Sequence, residues 1–478
     1  MNPWYLSVAT VACYGISVTG YAADAGNDAF IPEMWANEGL AILESNMVMA
    51  NLVYRDFEPQ VQNYGDVVNT RRPGTFAISR KRDGDTLVAQ EANATNVRVP
   101  LDQWFYTNFV IKDGEATLSF QDLVDVYLVP GMQTIAKSVD RAILGRVHAY
   151  LTGSTNRAGK LGGLTSANSQ DYVLEARQRL NENLAPMQGR NLVLSPAAET
   201  ALLKNTMFIK ANERGDGGSA LENAVLGRIL GFNTYLDQNV NSYTSGGETE
   251  ALAITEPEPA GYAGALTIAI TGAAGEYLVI DGNDQPTYMT DATTGAVVLN
   301  EALKYAVLDN AVVTHYKACD VDASAETGTT FAAGYTKPIA VDGFAAGTAP
   351  QAGQLIAFGT STRHTYTILE VTTVSSTACK VLLDRPLEYA VADAALAFPG
   401  PKGSLNWAFH KEAIALVSRP LAMPNNRMGV LTQVGVHNGI SMRVAMQYDI
   451  NQGGTVVNLD LLCGVAVLDT RLCVPLLG

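Results

Sequence analysis

Residues 65–112 read GDVVNTRRPGTFAISRKRDGDTLVAQEANATNVRVPLDQWFYTNFVIK. The first limb, Asp66-Val67-Val68-Asn69-Thr70-Arg71-Arg72, has the composition of a strand. The tip, Ser79-Arg80-Lys81-Arg82-Asp83-Gly84-Asp85, is basic, and its Asp-Gly pair supplies the left-handed turn residue. The return limb carries Val97, Val99, Leu101, Trp104, Tyr106, Phe109, Val110 and Ile111, much of it at strand spacing. A two-stranded ribbon of this kind is marginal in water by itself. The rest of the chain offers it no obvious cover, so the cover expected is a neighbouring copy of the same chain.

Outward from the ribbon, Ile31 to Phe57 reads as helical in its middle, with Trp35, Leu40, Leu43, Met47 and Val48 as a stripe. On the other side, Ser119 with Asp122 three residues on predicts a helix start. Pro130 predicts a break or restart, followed by Met132, Ile135, Val139, Ile143 and Val147, with Gly153 as the stop. From Ser169 to Val240 helices and strands alternate as in a compact α+β domain. A helix begins at Ser169, Asn191–Leu194 is a buried strand, Ser195-Pro196 starts a second helix, and Ser219 with Glu222 forms a capping box. Ile229–Leu236 is read as one strand.

Residues 242–258 are rich in Gly, Ser, Thr, Glu and Pro, as in a linker. Beyond them, to about Pro401, strand signals dominate and the chain repeats itself. The segment Val297–Asp309 (VVLNEALKYAVLD) matches Val381–Asp393 (VLLDRPLEYAVAD) at an offset of about 84 residues. Leu266–Ile270 and Ile339–Gly343 could be equivalent first strands. Two tandem all-β modules are expected, sandwich or barrel, inserted into the α+β domain. After Lys402-Gly403 the mixed style returns: a strand at Asn406–His410, a short helix at Lys411–Val417, and strands from Gly429 onward.

The composition is that of a folded chain: 478 residues, 47% hydrophobic and 17% charged. That length implies roughly two to four domains. A net charge of −15 argues against nucleic-acid binding by the whole surface. The five cysteines (Cys13, Cys319, Cys379, Cys463, Cys473) form no CxxC pair and imply neither a zinc site nor a disulfide framework. Leu6–Ala23 is apolar, but no Lys or Arg precedes Arg55, so a neutral arm packing on a neighbour is read there in preference to a signal peptide.

Other motifs carry little chemistry. Asp320, Asp322, Ser324 and Glu326 alternate as in a calcium loop, but Ala325 and Phe331 stand where Gly and Glu are needed. His410-Lys411-Glu412 lacks the Pro-Cys-x-x-Cys of a zinc deaminase. Gly215–Ser219 could open a helix toward a phosphate but lacks a P-loop ending. Asn93-Ala94-Thr95 is a glycosylation sequon only in a secreted chain. No Gly-x-Ser-x-Gly elbow occurs and the five histidines are scattered, so no catalytic, metal or cofactor residue is assigned. The strongest charge feature is Arg71, Arg72, Arg80, Lys81 and Arg82, with Asp83 at the turn and Arg98 on the return limb. Such a tip either protects an exposed edge or docks on acidic groups of an adjacent subunit, and the acidity of the rest favours docking.

This order of elements resembles the major capsid fold of tailed bacteriophages, and among them the coat proteins of short-tailed phages that carry a β-domain inserted in the apical domain. Ile31-Pro32-Glu33-Met34-Trp35 through Leu40, Leu43, Met49, Leu52, Val53, Arg55 and Asp56 look like that family's N-arm. Gly65–Val68 with Arg71-Arg72-Pro73 looks like the opening of its extended loop. Leu192–Glu199 and Gly227–Phe232 resemble its apical domain, and Asn406–Ala413 the return from the insertion. Met442–Val444, Tyr448-Asp449 and Leu459–Val465 resemble its closing strands.

The resemblance implies an α+β chain with an N-terminal arm (1–57), an extended loop with peripheral strands (58–118) and a spine helix (119–160). It further implies an apical domain (161–242 and 403–438), β modules at 243–320 and 321–402, and closing peripheral strands (439–478). It implies a non-enzymatic subunit without cofactors, forming hexamers and pentamers of an icosahedral shell around double-stranded DNA. Scaffolding, portal and decoration proteins would be its partners, no membrane would be involved, and the virion capsid, assembled in the host cytoplasm, would be its location. Two departures stand out: the family usually inserts one β-domain, and the extension before Ile31 is long. Some shells of this fold cross-link a loop lysine to a neighbour's asparagine. Lys81 with Asn425 or Asn426 would be the candidates here, although the short-tailed coat proteins do not generally do this. A cellular nanocompartment shell, or a secreted surface protein with carbohydrate-binding β modules, are the alternatives.

Overall fold

The computed structural model describes residues 32–55, 67–72, 78, 80–84, 86, 95–113, 127–151, 156–209, 223–243, 248–423 apart from short interruptions (269, 271, 294, 325, 327, 345–348, 360–362), and 430–478. The Ser119 cap, Gly153, the Ser219 capping box and everything before Pro32 lie outside them.

The helix Pro32–Asn46 buries Trp35, Leu40, Leu43 and, just beyond its end, Met47. That stripe packs on the long helix Val129–Leu144, whose Met132, Ile135, Ala136, Val139 and Ile143 face it. Pro130 occupies the first turn of this helix, where a missing N–H is least costly, directly after a π-helical turn at Tyr127-Leu128. It tightens into a 3₁₀ turn, Gly145–Tyr150, and ends where the Tyr150 hydroxyl donates to the Ala413 carbonyl. Asp140, fully buried, accepts the backbone N–H groups of Val48 (2.8 Å) and Ala50 (3.0 Å). It thereby satisfies donors at the start of the short helix Met49–Leu52 and ties the N-terminal segment to the long helix.

Two sheets flank this pair. In one, Gly454–Val467 pairs with Gln103–Lys112 along one edge, and with Ile440–Asp449 and Ile414–Arg419 along the other. Leu431–His437 pairs with Ile440–Asp449. Its buried face (Met442, Val444, Met446, Val457, Leu459, Leu461) meets the helices. The other sheet runs in the order 158–159, 473–477, 403–410, 190–194, 232–236, 228–229. Its central strands, 473–477, 403–410 and 190–194, are buried on both faces, which is why they read as largely apolar runs. Leu192, Leu194, Ala408, Val474 and Leu476 lie under the helices Ser169–Glu182 and Pro196–Leu203, while Val193, Leu405, Trp407, Phe409 and Leu477 point into the core shared with the long helix. Ser195 caps the second of these helices by accepting the Ala198 N–H.

Strand Ser242–Tyr243 pairs with Gly403–Ser404, so the two ends of the intervening segment 244–402 lie side by side. Within that span one five-stranded sheet takes strands between 248 and 316, and a closed barrel takes strands between 319 and 399. The similarity of 297–309 to 381–393 has a structural counterpart. Met289↔Leu299 matches Ile368↔Leu383, each beside a bulge. The Gly275 and Gly353 N–H groups donate to Met289 and Ile368, respectively. Leu303 exchanges backbone bonds with Gly261 and Tyr262, as Leu387 does with Gly334 and Tyr335. The bridge Leu266↔Val297 matches Ile339↔Val381.

Several expectations change. Ile229–Leu236 is a hairpin, because Leu230 (φ 46°) and Gly231 (φ 91°) turn the chain between two short strands. Lys411–Ala413 is one 3₁₀ turn, and Ile414–Arg419, which falls within the expected apical range 403–438, is a strand of the first sheet. Cys473–Leu477 leaves the closing strands 439–478 for the mixed sheet, where it pairs with 403–410. Cys319–Val321 already belongs to the barrel through its pairing with Ile339–Asp342, so the boundary falls before 320. No described helix is long and apolar enough to cross a membrane.

Burial, reinforced by the charge of Asp237, pushes the Asp140 carboxyl up from 3.8 to about 7, against the opposing pull of its N–H donors. A raised folded-state value means that its contribution to stability is complete below about pH 4 and is lost as pH rises toward 7. Relative to Asp140→Asn, the wild type should therefore lose stability between pH 5 and 7 with a slope of up to about 1.4 kcal/mol per pH unit. Urea titrations of both proteins across that range check this, and a pH-independent difference would contradict it.

Candidate functional site

The ribbon pairs Val67–Arg72 with Thr95–Pro100, Val68 lying opposite Val99. Both valines are fully buried, against Ala415, Val417 and the half-buried Leu101, Ala466 and Leu468 of the same chain. The expectation that the chain offers the ribbon no cover is therefore corrected at its root: strand 414–419 provides it. The return limb is also shorter than its strand-like sequence implied. After Pro100 the chain leaves the ribbon, and Gln103–Lys112 runs alongside Gly454–Cys463. Phe109 and Ile111 turn inward, Phe109 stacking between Trp35 and Tyr127, while Trp104 and Tyr106 are exposed on the outer face. The root fits closely. A Cβ on Gly464 would run into the Pro100 carbonyl oxygen, so no larger residue fits without moving the backbone.

Between the two ribbon strands in sequence, Arg80, Lys81, Arg82 and Asp83 are all exposed. Asp83 and Gly84 form the turn, and Gly84 takes the left-handed conformation (φ 95°) expected of it. Arg71 and Arg72 lie on the ribbon's first strand opposite Asn96 and Thr95, and Arg98, also exposed, lies opposite Asn69. Arg71, Arg72 and Arg98 thus lie on the ribbon strands, and Arg80, Lys81 and Arg82 follow one another in the exposed stretch between them in sequence.

Beside the root lies a cleft of about 570 Å³, bounded by Arg98, Arg146, His148, Leu387, Glu388 and Val465. Two residues of its lining, Arg385 (3.1 Å) and Arg146 (3.7 Å), pair with Asp384, which is fully buried and accepts the Thr367 N–H at 2.9 Å. Gln103 donates to the Asp384 carbonyl, and Thr367 Oγ1 to the Gly145 carbonyl, so the barrel is fastened to the end of the long helix. Burial, helped by Arg385, pulls the His148 imidazole down to about 4, leaving it neutral at physiological pH. Sequence reading missed Asp384 and Asp140. Asp384 did have a signal: it occupies the place of Asn300 in the repeat, and Asn300 accepts the Tyr288 N–H in the same way.

The remaining motifs disperse. Asp320 faces Asp342 across two strands, Asp322 binds Ser324, and Glu326 pairs with Lys380, so the alternating acids do not converge. His410 caps the 3₁₀ turn through the Glu412 N–H. Burial raises the thiols of Cys319 to about 12 and Cys379 to about 11, and holds those of Cys463 and Cys473 well above the usual range. Among the described residues no three His, Cys, Asp or Glu side chains gather as a metal site would require. Gly215–Ser219, Asn93-Ala94, Asn425 and Asn426 lie outside the described residues, so the Lys81 cross-link has no described partner.

No protein-family model matches the chain, and no curated protein does. Among solved structures, the chain is similar to one from Mycobacterium phage Che8, at 13% identity over 90% of each chain and a TM-score of 0.43. It is similar to a capsid structure of the cyanophage P-SCSP1u, at 12% identity over 90% of this chain and 88% of that one, with a TM-score of 0.42. A third, from the mature capsid of bacteriophage PhiM1, is 11% identical over 87% of this chain and 82% of that one, with a TM-score of 0.37.

Gly464→Ala tests the root. The added methyl should force the ribbon away from strand 454–467 and cost about 1–3 kcal/mol. Faster proteolysis within 67–100 should accompany that loss in denaturant titration, whereas unchanged stability and cleavage would refute the close fit.

Proposed function

We propose that the chain is the major shell subunit of a tailed-phage capsid, a structural and non-enzymatic protein. Many copies form hexamers and pentamers, and the closed icosahedral shell encloses double-stranded DNA. The observation that carries this reading is the ribbon itself: a root fixed to its own body by Val68 and Val99, and an exposed cluster of Arg80, Lys81 and Arg82 at the far end. A cationic tip on a chain of net charge −15 finds its complement most readily on another copy of that chain. Closure by symmetry then spreads weak contacts over a large area.

In this reading, the N-terminal helices, the long helix and the sheet around Gly454–Val467 form the peripheral layer. The mixed sheet with its two helices forms the apical domain. The sheet at 248–316 and the barrel at 319–399 are inserted β modules that project outward or bridge capsomers. Arg71, Arg72, Arg80, Lys81, Arg82 and Asp83 make the contact from one subunit to the next. Scaffolding and portal proteins take part in assembly, which happens in the host cytoplasm, and the acidic wall limits sticking of the packaged DNA.

Reversing the tip tests this directly. Arg80→Glu with Arg82→Glu should abolish fast-sedimenting particles while leaving the melting temperature of the subunit within about 1 °C, as expected for an exposed site. Undiminished assembly of that variant would remove the tip from the contact. Cargo enzyme in place of DNA inside the particles would select a nanocompartment shell.

A further inference from the structure

The loops that follow the two repeated strands share a backbone path but carry opposite surfaces. Asn300 and Asp384 occupy the same place, each accepting a strand N–H at 2.9 Å, and Leu303 and Leu387 make the same backbone exchange. Glu301, Lys304 and Tyr305 of the first loop therefore correspond to Arg385, Glu388 and Tyr389 of the second. The first loop is a dock: Glu301 pairs with Arg157, Lys304 with Glu175 at 2.9 Å, and the Tyr305 hydroxyl donates to Glu175 at 3.1 Å. These contacts seat the first module on the α+β body.

In the second loop both charges are inverted, and although its Arg385–Glu388 stretch borders the cleft shared with Arg98, Arg146 and Val465, its outer side is left open. Tyr389 is 58% exposed, its ring stacked on His364 at 4.1 Å. The Glu388 carboxylate is held beside it by Arg385 (2.9 Å) and His364 (3.2 Å). A docking loop with its aromatic ring retained, its polarity reversed and its face exposed calls for a cationic occupant. An oriented carboxylate beside an aromatic ring suits a guanidinium or ammonium group in particular.

We infer that Glu388, Tyr389 and His364 form the receiving surface for the Arg80-Lys81-Arg82 tip of a second copy of this chain. The tip supplies the matching charge, is exposed, and stands on an otherwise acidic molecule. The inference rests on the shell reading, because the tip of one copy must come within reach of the barrel of another.

Two experiments on the full chain test it. In a Cys13→Ser background, Lys81→Cys and Tyr389→Cys chains are mixed, assembled and oxidised. A disulfide-linked pair of the two variants is expected, with far less product from either alone. Separately, Glu388→Lys should lower particle yield at least tenfold, and adding Arg80→Glu and Arg82→Glu to the same chain should recover most of it. Particles that form normally, yet show neither cross-link nor charge-swap recovery, overturn this surface and leave the shell reading intact. A wild-type chain that never assembles overturns the shell reading and this inference with it. Because Tyr389 is exposed, the cross-link decides the matter even if Glu388→Lys disturbs the barrel.

Discussion

Strand Gly454–Val467 is the constraint on which the rest depends. It is hydrogen-bonded to Gln103–Lys112 on one side, and to Ile440–Asp449 and Ile414–Arg419 on the other. Near its two ends, at Gly454 and Gly464, neighbouring backbone comes so close that a Cβ has no room. Midway, Asp460 is buried and held by Arg443, Trp104 and Asn458, so a charge that would be costly alone is fully engaged. Both roots of the ribbon are set by this arrangement. One limb starts against Ala415 and Val417, and the other runs straight into strand 103–112. A tip at the end of a two-stranded ribbon can be aimed only if its base does not swivel.

The long helix gathers the remaining parts through single polar ties. Asp140 holds the N-terminal helices, Asn241 donates to the Leu144 carbonyl where the α+β sheet gives way to the β modules, and Asp384 with Thr367 fastens the barrel to Gly145 and Arg146. Each tie is buried, so loss of one partner leaves an unsatisfied group and not merely a missing bond. Both β modules are tied to the body through this repeated loop, the first by Glu301, Lys304 and Tyr305 and the second by Asp384. In the second loop the outer end, at Glu388 and Tyr389, stays exposed, whereas the first has given Lys304 and Tyr305 to its own body.

Features set by neighbours in sequence were legible. The stripe of Pro32–Asn46, the Ser195-Pro196 helix start, the Asp83-Gly84 turn and the repeat at 297 and 381 each follow from local spacing. Features set by distant partners were not. Nothing at Pro100-Leu101-Asp102 signals that the chain changes partners there, so Trp104 to Ile111 read as more ribbon. Ile414–Arg419 suits a helix or a strand by composition, and pairing with 462–467 decides it. Leu230-Gly231 sits in an apolar run, which hid its turn. Of the candidate site, the exposed charge of the tip could be read directly. The meaning of Glu388 and Tyr389 emerges only when the two loops are compared in three dimensions.

The central claim is that a ribbon rooted in one copy ends on another. Electron cryomicroscopy of purified wild-type particles measures it most directly. The expected result is closed shells in which density for residues 78–86 of each subunit lies against a neighbouring copy. Lone subunits under assembly conditions, or shells in which that tip rests on its own subunit, would contradict it.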